Sequence, residues 1–380
     1  MQIAPFGVEL WLNEYETKAR LNLAETSISA LSLRELLELT GQDSATLEKL
    51  LDVRLSYGEI PGSERLRGLI AEMYEDVEME QIALAHGTIG ANHLAHLVLT
   101  HAGDHVVTFS PSYDQHAAIA ESIGAEITVL PLAKENRYLP DVEQLRAAVR
   151  PDTKLICLTN PNNPTGTMMD LAILREVVKI ARSVDAYILC DEVYRGVEAE
   201  DVLGVPSIVD LYEKGLATCG LSKAFSLPGL RVGWLVAPAD LMARIGDQRD
   251  YSIISVGVLD DSLACIALEN KDVLLGRSRG IINRNRAIVE QWLGGEPRAS
   301  WTAPDAGSAA LLRIDAPTDD REFAIGLLEK KGVLLTPGSA FGIAGHYRLG
   351  YTCSEDVLRE GLAEISAYLD ELGVAINPES

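Results

Sequence analysis

Three short polar segments carry residue types suited to covalent and acid–base chemistry: Asn160-Pro161-Asn162-Asn163-Pro164-Thr165-Gly166, Asp191-Glu192-Val193-Tyr194 and Ser222-Lys223. A desolvated lysine loses its proton readily, attacks an aldehyde and can then act as a base. A fourth segment, His86-Gly87-Thr88-Ile89-Gly90, stands where a strand hands over to a helix. The backbone N–H groups of Gly87, Thr88 and Ile89 and the helix dipole would suit a dianion there. Arg231 and Arg348 add planar guanidinium groups that take phosphate or carboxylate in two-pronged fashion. Taken singly, each residue also has an ordinary reading. Lys223 could be a surface lysine lying along apolar neighbours, Asp191 a helix N-cap and Asn163 turn chemistry. Tyr113 could be packing and Arg348 a surface ion pair.

Their shared position at strand ends is what could unite them. QIALAH (81–86), HVVTF (105–109), EITVL (126–130), KLICLT (154–159), AYILC (186–190) and GLATCG (215–220) are apolar runs with little alternation. Such runs suit strands covered on both faces. Amphipathic stretches such as ANHLAHLVLTHA and LAILREVVKIARSV separate several of them. This alternation predicts an α/β fold with a mostly parallel central sheet sandwiched by helices. In such sheets ligands bind beyond the carboxyl ends of the strands, so residues distant in sequence can share one site. From residue 281 onward helical stretches alternate with strand-like SAALLRID and HYRLGYT. A large domain over 46–280 and a smaller α+β domain formed by 281–380 with the segment 1–45 are therefore expected, and the terminal INPES is expected to fray.

Composition narrows the partners. With 56 acidic against 33 basic side chains and a formal net charge of −23, the surface repels nucleic acid and anionic lipid. No apolar run reaches membrane-spanning length and no basic segment precedes an apolar one at the N-terminus, which points to a cytoplasmic protein. The five cysteines (157, 190, 219, 265 and 353) show no C-x-x-C spacing and read as reduced packing residues, so no metal is expected. Gly87-Thr88-Ile89-Gly90 lacks the glycine spacing of a nicotinamide-binding turn.

In series, NPNNPTG, DEVY and SKAFSLPGLRVGW form a specific signature. By it the chain resembles the fold-type I, pyridoxal-5′-phosphate (PLP)-dependent aminotransferases of class I/II, the aspartate aminotransferase superfamily, over nearly its whole length. The resemblance implies that Lys223 carries the cofactor as a Schiff base and moves the proton at the substrate Cα. It implies that Asp191 pairs with the pyridine nitrogen, that Tyr194 and Asn163 hydrogen-bond the phenolic oxygen, and that Tyr113 stacks on the ring. Gly87, Thr88, Ile89, Ser222 and Arg231 would bind the phosphate. Tyr57, in Tyr57-Gly58-Glu59-Ile60-Pro61-Gly62, would reach the phosphate of a neighbouring subunit, which makes the active unit a homodimer. Arg348, with Asn163, would hold the substrate α-carboxylate. The implied activity moves an amino group from an L-amino acid to a 2-oxo acid by a ping-pong mechanism.

Two departures from the family pattern stand out. The usual S-x-S-K is here Gly220-Leu221-Ser222-Lys223, so one phosphate contact is missing or comes from water or Ser222. Losing one neutral hydrogen bond costs roughly 1 kcal/mol, too little to abolish cofactor binding. The segment Asn22-Leu23-Ala24-Glu25-Thr26-Ser27-Ile28-Ser29 places a carboxylate where the family often has a glycine-containing turn. Glu25 could pair with a cationic substrate such as arginine, or merely cap a turn. Cβ–S lyases and elimination–cyclisation enzymes such as capreomycidine synthase share the same lysine, aspartate, tyrosine and arginine, so a lyase or cyclase is the alternative activity. A PLP-binding transcriptional regulator is disfavoured by the charge.

Overall fold

Seven short apolar runs pair edge to edge into one sheet. In the computed structural model, which describes residues 2–375, these strands are β1 (Ile82–His86), β2 (His105–Ser110), β3 (Glu126–Pro131), β4 (Thr153–Thr159), β5 (Tyr187–Asp191), β6 (Gly215–Gly220) and β7 (Val232–Val236). The INPES tail lies outside the described residues. The sheet order is β1-β7-β6-β5-β4-β2-β3, parallel except that β7 runs antiparallel to both β1 and β6. Six of these strands lie where the apolar runs place them. The seventh, β7, was not among them. Only the loop 221–231 joins it to β6, which is too short for a helical crossover, so the chain returns antiparallel.

Alternate side chains of the inner strands feed two separate cores. Along β4, Leu155 and Cys157 join one core while Ile156 and Leu158 join the other. This two-sided burial is why those runs lack a polar face; each fully buried side chain contributes about 1.5–3 kcal/mol. β3 departs from the pattern: it closes the sheet edge, and Val129 is half exposed. Helix α1 (Gly7–Tyr15) precedes the sheet, α2 (Gly87–Leu99) follows β1 directly, α3 (Gln115–Ile123) follows β2, and α4 (Leu171–Ser183) connects β4 to β5. α4 starts at Asp170, whose side chain accepts from the Ile173 N–H at 2.8 Å, and it buries Leu174, Val177, Val178 and Ala181. All five cysteines are free thiols, four of them buried.

A second, four-stranded antiparallel sheet contains β8 (Ala299–Trp301), β9 (Ala309–Ile314), β10 (Thr336–Pro337) and β11 (His346–Gly350), in the order β10-β11-β9-β8. Helices α5 (Lys271–Leu293), α6 (Asp320–Lys331) and α7 (Glu355–Glu371) accompany it. The N-terminal segment is stitched to this region. Leu21–Asn22 pairs in parallel with Val333–Leu334, the Trp11 indole donates to the Leu335 carbonyl at 3.0 Å, and the Gly350 N–H donates to the Leu23 carbonyl at 2.7 Å. The Glu25 carbonyl lies so close over Gly350 that no side chain could stand there. Among the described residues no helix is long and apolar enough to cross a membrane.

Candidate active site

The carboxyl ends of β1, β4, β5 and β6, the segment 9–27 and β11 surround one cavity of ≈ 360 Å³. Its walls contain Thr88, Ile89, Tyr113, Asn163, Asp191, Tyr194, Ser222, Lys223, Arg231, Arg348 and Glu25, which lie on seven separate segments of the sequence. The geometry therefore unites the motif residues, as expected of loops leaving the same end of a parallel sheet.

Asp191 closes β5 and is 5% exposed. Its Oδ2 accepts from the Asn92 amide at 2.8 Å and its Oδ1 from the Val193 N–H at 3.1 Å. Burial pushes its carboxyl above the usual range, against the pull of those hydrogen bonds and of the Lys223 charge. Asn92 is held in turn by Thr218, whose hydroxyl donates to it at 2.6 Å, and it donates to the Gln115 side chain at 3.2 Å. Sequence reasoning did not single out Asn92. The available signal was an amide among mostly apolar neighbours in the helix that follows β1.

Lys223 is half-buried; its ammonium donates to the Thr26 hydroxyl at 2.8 Å and lies 3.8 Å from Glu25 Oε1. The Glu25 carboxyl sits below its ordinary range: burial raises it, but the Lys223 charge and the N–H groups of Ser27 and Thr26 outweigh that. Oε1 accepts from Thr26 and Ser27 at 2.8 and 2.6 Å, so the turn-capping role and the site-facing role coexist in one side chain.

Arg348 is 2% exposed, and no carboxylate lies within 4.0 Å of its nitrogens among the described residues. Its guanidinium donates to the Ala24 carbonyl at 2.9 Å and to Asn163 Oδ1 and Thr336 Oγ1 at 3.4 Å, lies over the Phe341 ring, and leaves Nε without an acceptor. Burial lowers its pKa, while Tyr194, Glu25, Tyr113 and Glu9 work in the other direction. A buried cation without a counter-ion is costly. A carboxylate placed against it would offset that cost.

At the α2 end, Gly87 adopts a positive φ of 71°, and a Cβ there would meet the Arg231 guanidinium at 2.6 Å. The Gly87 N–H is not available as first expected. It already donates to the Arg231 carbonyl at 2.8 Å, because the β1–β7 register sets His86 opposite Val232. The N–H groups of Thr88 and Ile89, which have no acceptor inside the helix, remain for an anion. Arg231 adds its guanidinium, which donates to Ser222 Oγ at 3.4 Å and the Pro228 carbonyl at 2.8 Å. The glycine at position 220 also has a physical reason. A Cβ there would fall 2.7 Å from Thr88 Oγ1 and 2.9 Å from the Val232 carbonyl oxygen. Thr88 thus fills the space that a serine would need, and its hydroxyl is buried without a partner.

Tyr113 lines the cavity and donates its hydroxyl to Glu9 at 2.9 Å, while its ring packs on Phe6 at 4.7 Å. Burial and the Glu9 charge raise its pKa. The Tyr194 hydroxyl is buried without a hydrogen-bond partner. Tyr57 does not line the cavity and is 77% exposed. Glu9 and Glu16 on the N-terminal segment do line it, and no motif in the sequence marks either.

The donor set fits a flat, phosphorylated aromatic aldehyde. Orphaned hydroxyls of Thr88 and Tyr194, two N–H groups with Arg231 and Ser222, a buried carboxylate and a lysine amine converge on one cavity.

A family model, aminotransferase class I and II, matches residues 33–365. The chain is 33% identical to capreomycidine synthase of Streptomyces vinaceus over 96% of its own length and 93% of that protein. It is 28% identical to an arginine–pyruvate transaminase of Pseudomonas aeruginosa, over 98% and 97% of the two chains. Its fold superposes with a TM-score of 0.95 on a PLP-dependent aminotransferase from Streptococcus suis, at 42% identity and covering 99% and 100% of the chains.

Proposed function

The chain belongs to the class I and II aminotransferases, PLP-dependent enzymes of fold type I, and from that membership we propose that it moves an amino group from an L-amino acid, preferably a cationic one, to a 2-oxo acid. The observation that carries the reading is Arg348, a buried guanidinium without a counter-ion, in the same cavity as Lys223 and Asp191. A substrate α-carboxylate supplies the missing anion and so sets the Cα beside the lysine.

Bound here, PLP supplies an electron sink for negative charge at the substrate Cα. Lys223 would hold the cofactor through its amine and could move the proton at the substrate Cα. Asp191 would keep the ring nitrogen protonated, with Asn92 holding its carboxylate in place for that task. Asn163 and Tyr194 would donate toward its phenolic oxygen, and Tyr113 would lie against its ring. Thr88, Ile89, Ser222 and Arg231 would take its phosphate. Donor and acceptor would use the same Arg348 in turn, as a ping-pong cycle requires. We also place Tyr57 at the site of a second copy of the chain. It stands exposed beside Leu55, itself 80% exposed, as a face covered in a homodimer would.

A second reading is favoured by the likeness to capreomycidine synthase: elimination followed by cyclisation, or Cβ–S cleavage. A panel of amino acids offered to the holoenzyme separates the two. A cofactor absorbance change that reverses only on adding a 2-oxo acid supports amino transfer. Pyruvate, ammonia or a cyclised product formed without an acceptor overturns it.

A further inference from the structure

None of His96, His116 and Cys157 lines the catalytic cavity, yet these side chains of α2, α3 and β4 meet in the interior. They are 0%, 2% and 1% exposed. One nitrogen from each imidazole and the Cys157 sulfur all lie within 4.8 Å of one another. Ligands bound to a common ion at about 2.0–2.3 Å stand roughly 3.3–4 Å apart, so a shift of under about 1 Å closes the triangle on a metal. The three positions share none of the close spacing by which such ligands are read from a sequence, which is why Cys157 reads there as a packing residue.

As packing, the group is not self-sufficient. His96 Nε2 and His116 Nδ1 stand 3.2 Å apart, the distance of one N–H···N hydrogen bond. Whichever ring donates, one outer nitrogen keeps an N–H with nothing to accept it, because His96 Nδ1 and His116 Nε2 are both buried without partners. Native interiors rarely strand such atoms, and each costs about 1–3 kcal/mol. No carboxylate joins the group among the described residues. Burial lowers both imidazoles, His116 to about 4, and lifts the Cys157 thiol above its ordinary range. Neutral imidazole is the form that binds a metal.

Charge then selects the ion. Two neutral imidazoles and one thiolate carry a single negative charge, which a monovalent cation cancels. A divalent cation would leave net positive charge in an interior with no acid beside it. Two histidines with one cysteine are a copper ligand set, whereas structural zinc takes four ligands.

We propose that His96, His116 and Cys157 form a binding site for a cuprous ion, Cu(I), held by one nitrogen of each imidazole and by the thiolate. Binding expels the thiol proton and changes no oxidation state. The site stands directly behind the groups that orient Asp191. His96 is one helical turn beyond Asn92, and His116 adjoins Gln115, which accepts from the Asn92 amide. An ion there ties α2, α3 and β4 together.

Because the ligands are buried, the ion enters through local opening, and loading is done warm. The holoenzyme is incubated under nitrogen with Cu(I), stripped of loose metal by a water-soluble Cu(I) chelator, and its metal counted by mass spectrometry. About one copper per chain should resist the chelator, and the loaded protein should melt higher than the unloaded one. Cys157→Ala and His116→Gln should each lower retained copper roughly tenfold or more, with cofactor content unchanged. X-ray absorption at the copper edge of the unmutated protein keeps the test independent of whether a variant folds. It should show a three-coordinate ion with nitrogen and sulfur neighbours. Copper that the chelator removes, a copper shell without sulfur, or equal retention by Cys157→Ala overturns the proposal. Zinc held in the same stoichiometry, when offered in place of copper, overturns it too.

Discussion

On the sheet side of the cavity, Asp191, Asn92 and Asn163 are 5%, 1% and 6% exposed, and the first two sit in a chain of hydrogen bonds anchored on β6. On the opposite side Glu25 keeps 45% of its side chain exposed, and its neighbours stand on a helix of nine residues and a short turn. The sheet side holds polar groups whose geometry is over-determined by packing. The N-terminal side holds charges near water on a segment tied to a different sheet. Reaction parts that every amino acid needs in the same place belong on the first. Parts that tell one side chain from another belong on the second, where loops change at little cost to the core.

Four tests break or sharpen that contrast. Lys223→Ala strikes the sheet side hardest and should lower amino transfer by roughly 10⁴-fold, measured by single-turnover quench. Retention of more than a tenth of the rate would move the reacting nitrogen elsewhere. Asp191→Asn comes next, with a loss of about 10²- to 10³-fold in kcat. The cofactor-free protein should melt no lower than its parent, since burial already disfavours the ionised carboxyl. A marked drop in Tm would make Asp191 a structural residue. Gly220→Ser overpacks the phosphate end and should cost about 1–3 kcal/mol of stability and weaken cofactor retention. Adding Thr88→Ala should recover the part due to the 2.7 Å clash, as read by denaturant midpoints.

The smallest effect belongs to Glu192, the neighbour of Asp191 that faces away from the cavity. Ser207 and the Ile208 N–H bind its Oε1, and burial lifts its carboxyl to about 6 from an ordinary 4.5. Folding thus favours its protonated form. That contribution is complete below pH 4.5 and disappears as pH rises through 6, amounting to about 2 kcal/mol. Glu192→Gln should flatten the pH dependence of stability across that window; an unchanged slope would mean the carboxyl is ionised throughout.

The sheet side was legible in the sequence because two-sided burial writes itself as unbroken apolar runs and the reactive residues stand immediately after them. The strand Val232–Val236 escaped notice because it lies inside the stretch that reads as a motif, and only pairing with β1 and β6 reveals it as sheet. Asn92 was hidden for a related reason: its partners, Gln115, Asp191 and Thr218, come from three other elements. The N-terminal acids were least legible. Glu9 and Glu16 reach the cavity only because Leu21–Asn22 pairs with Val333–Leu334, a contact with no local signature. The occupied Gly87 N–H was equally out of reach, since its acceptor depends on register across two strands.

Arg348 donates to the Ala24 carbonyl, and two residues farther along β11 the Gly350 N–H donates to the Leu23 carbonyl. The guanidinium and the backbone that bears Glu25 are thereby fastened together. Neither can shift without the other, so whatever displaces the N-terminal segment also unseats Arg348.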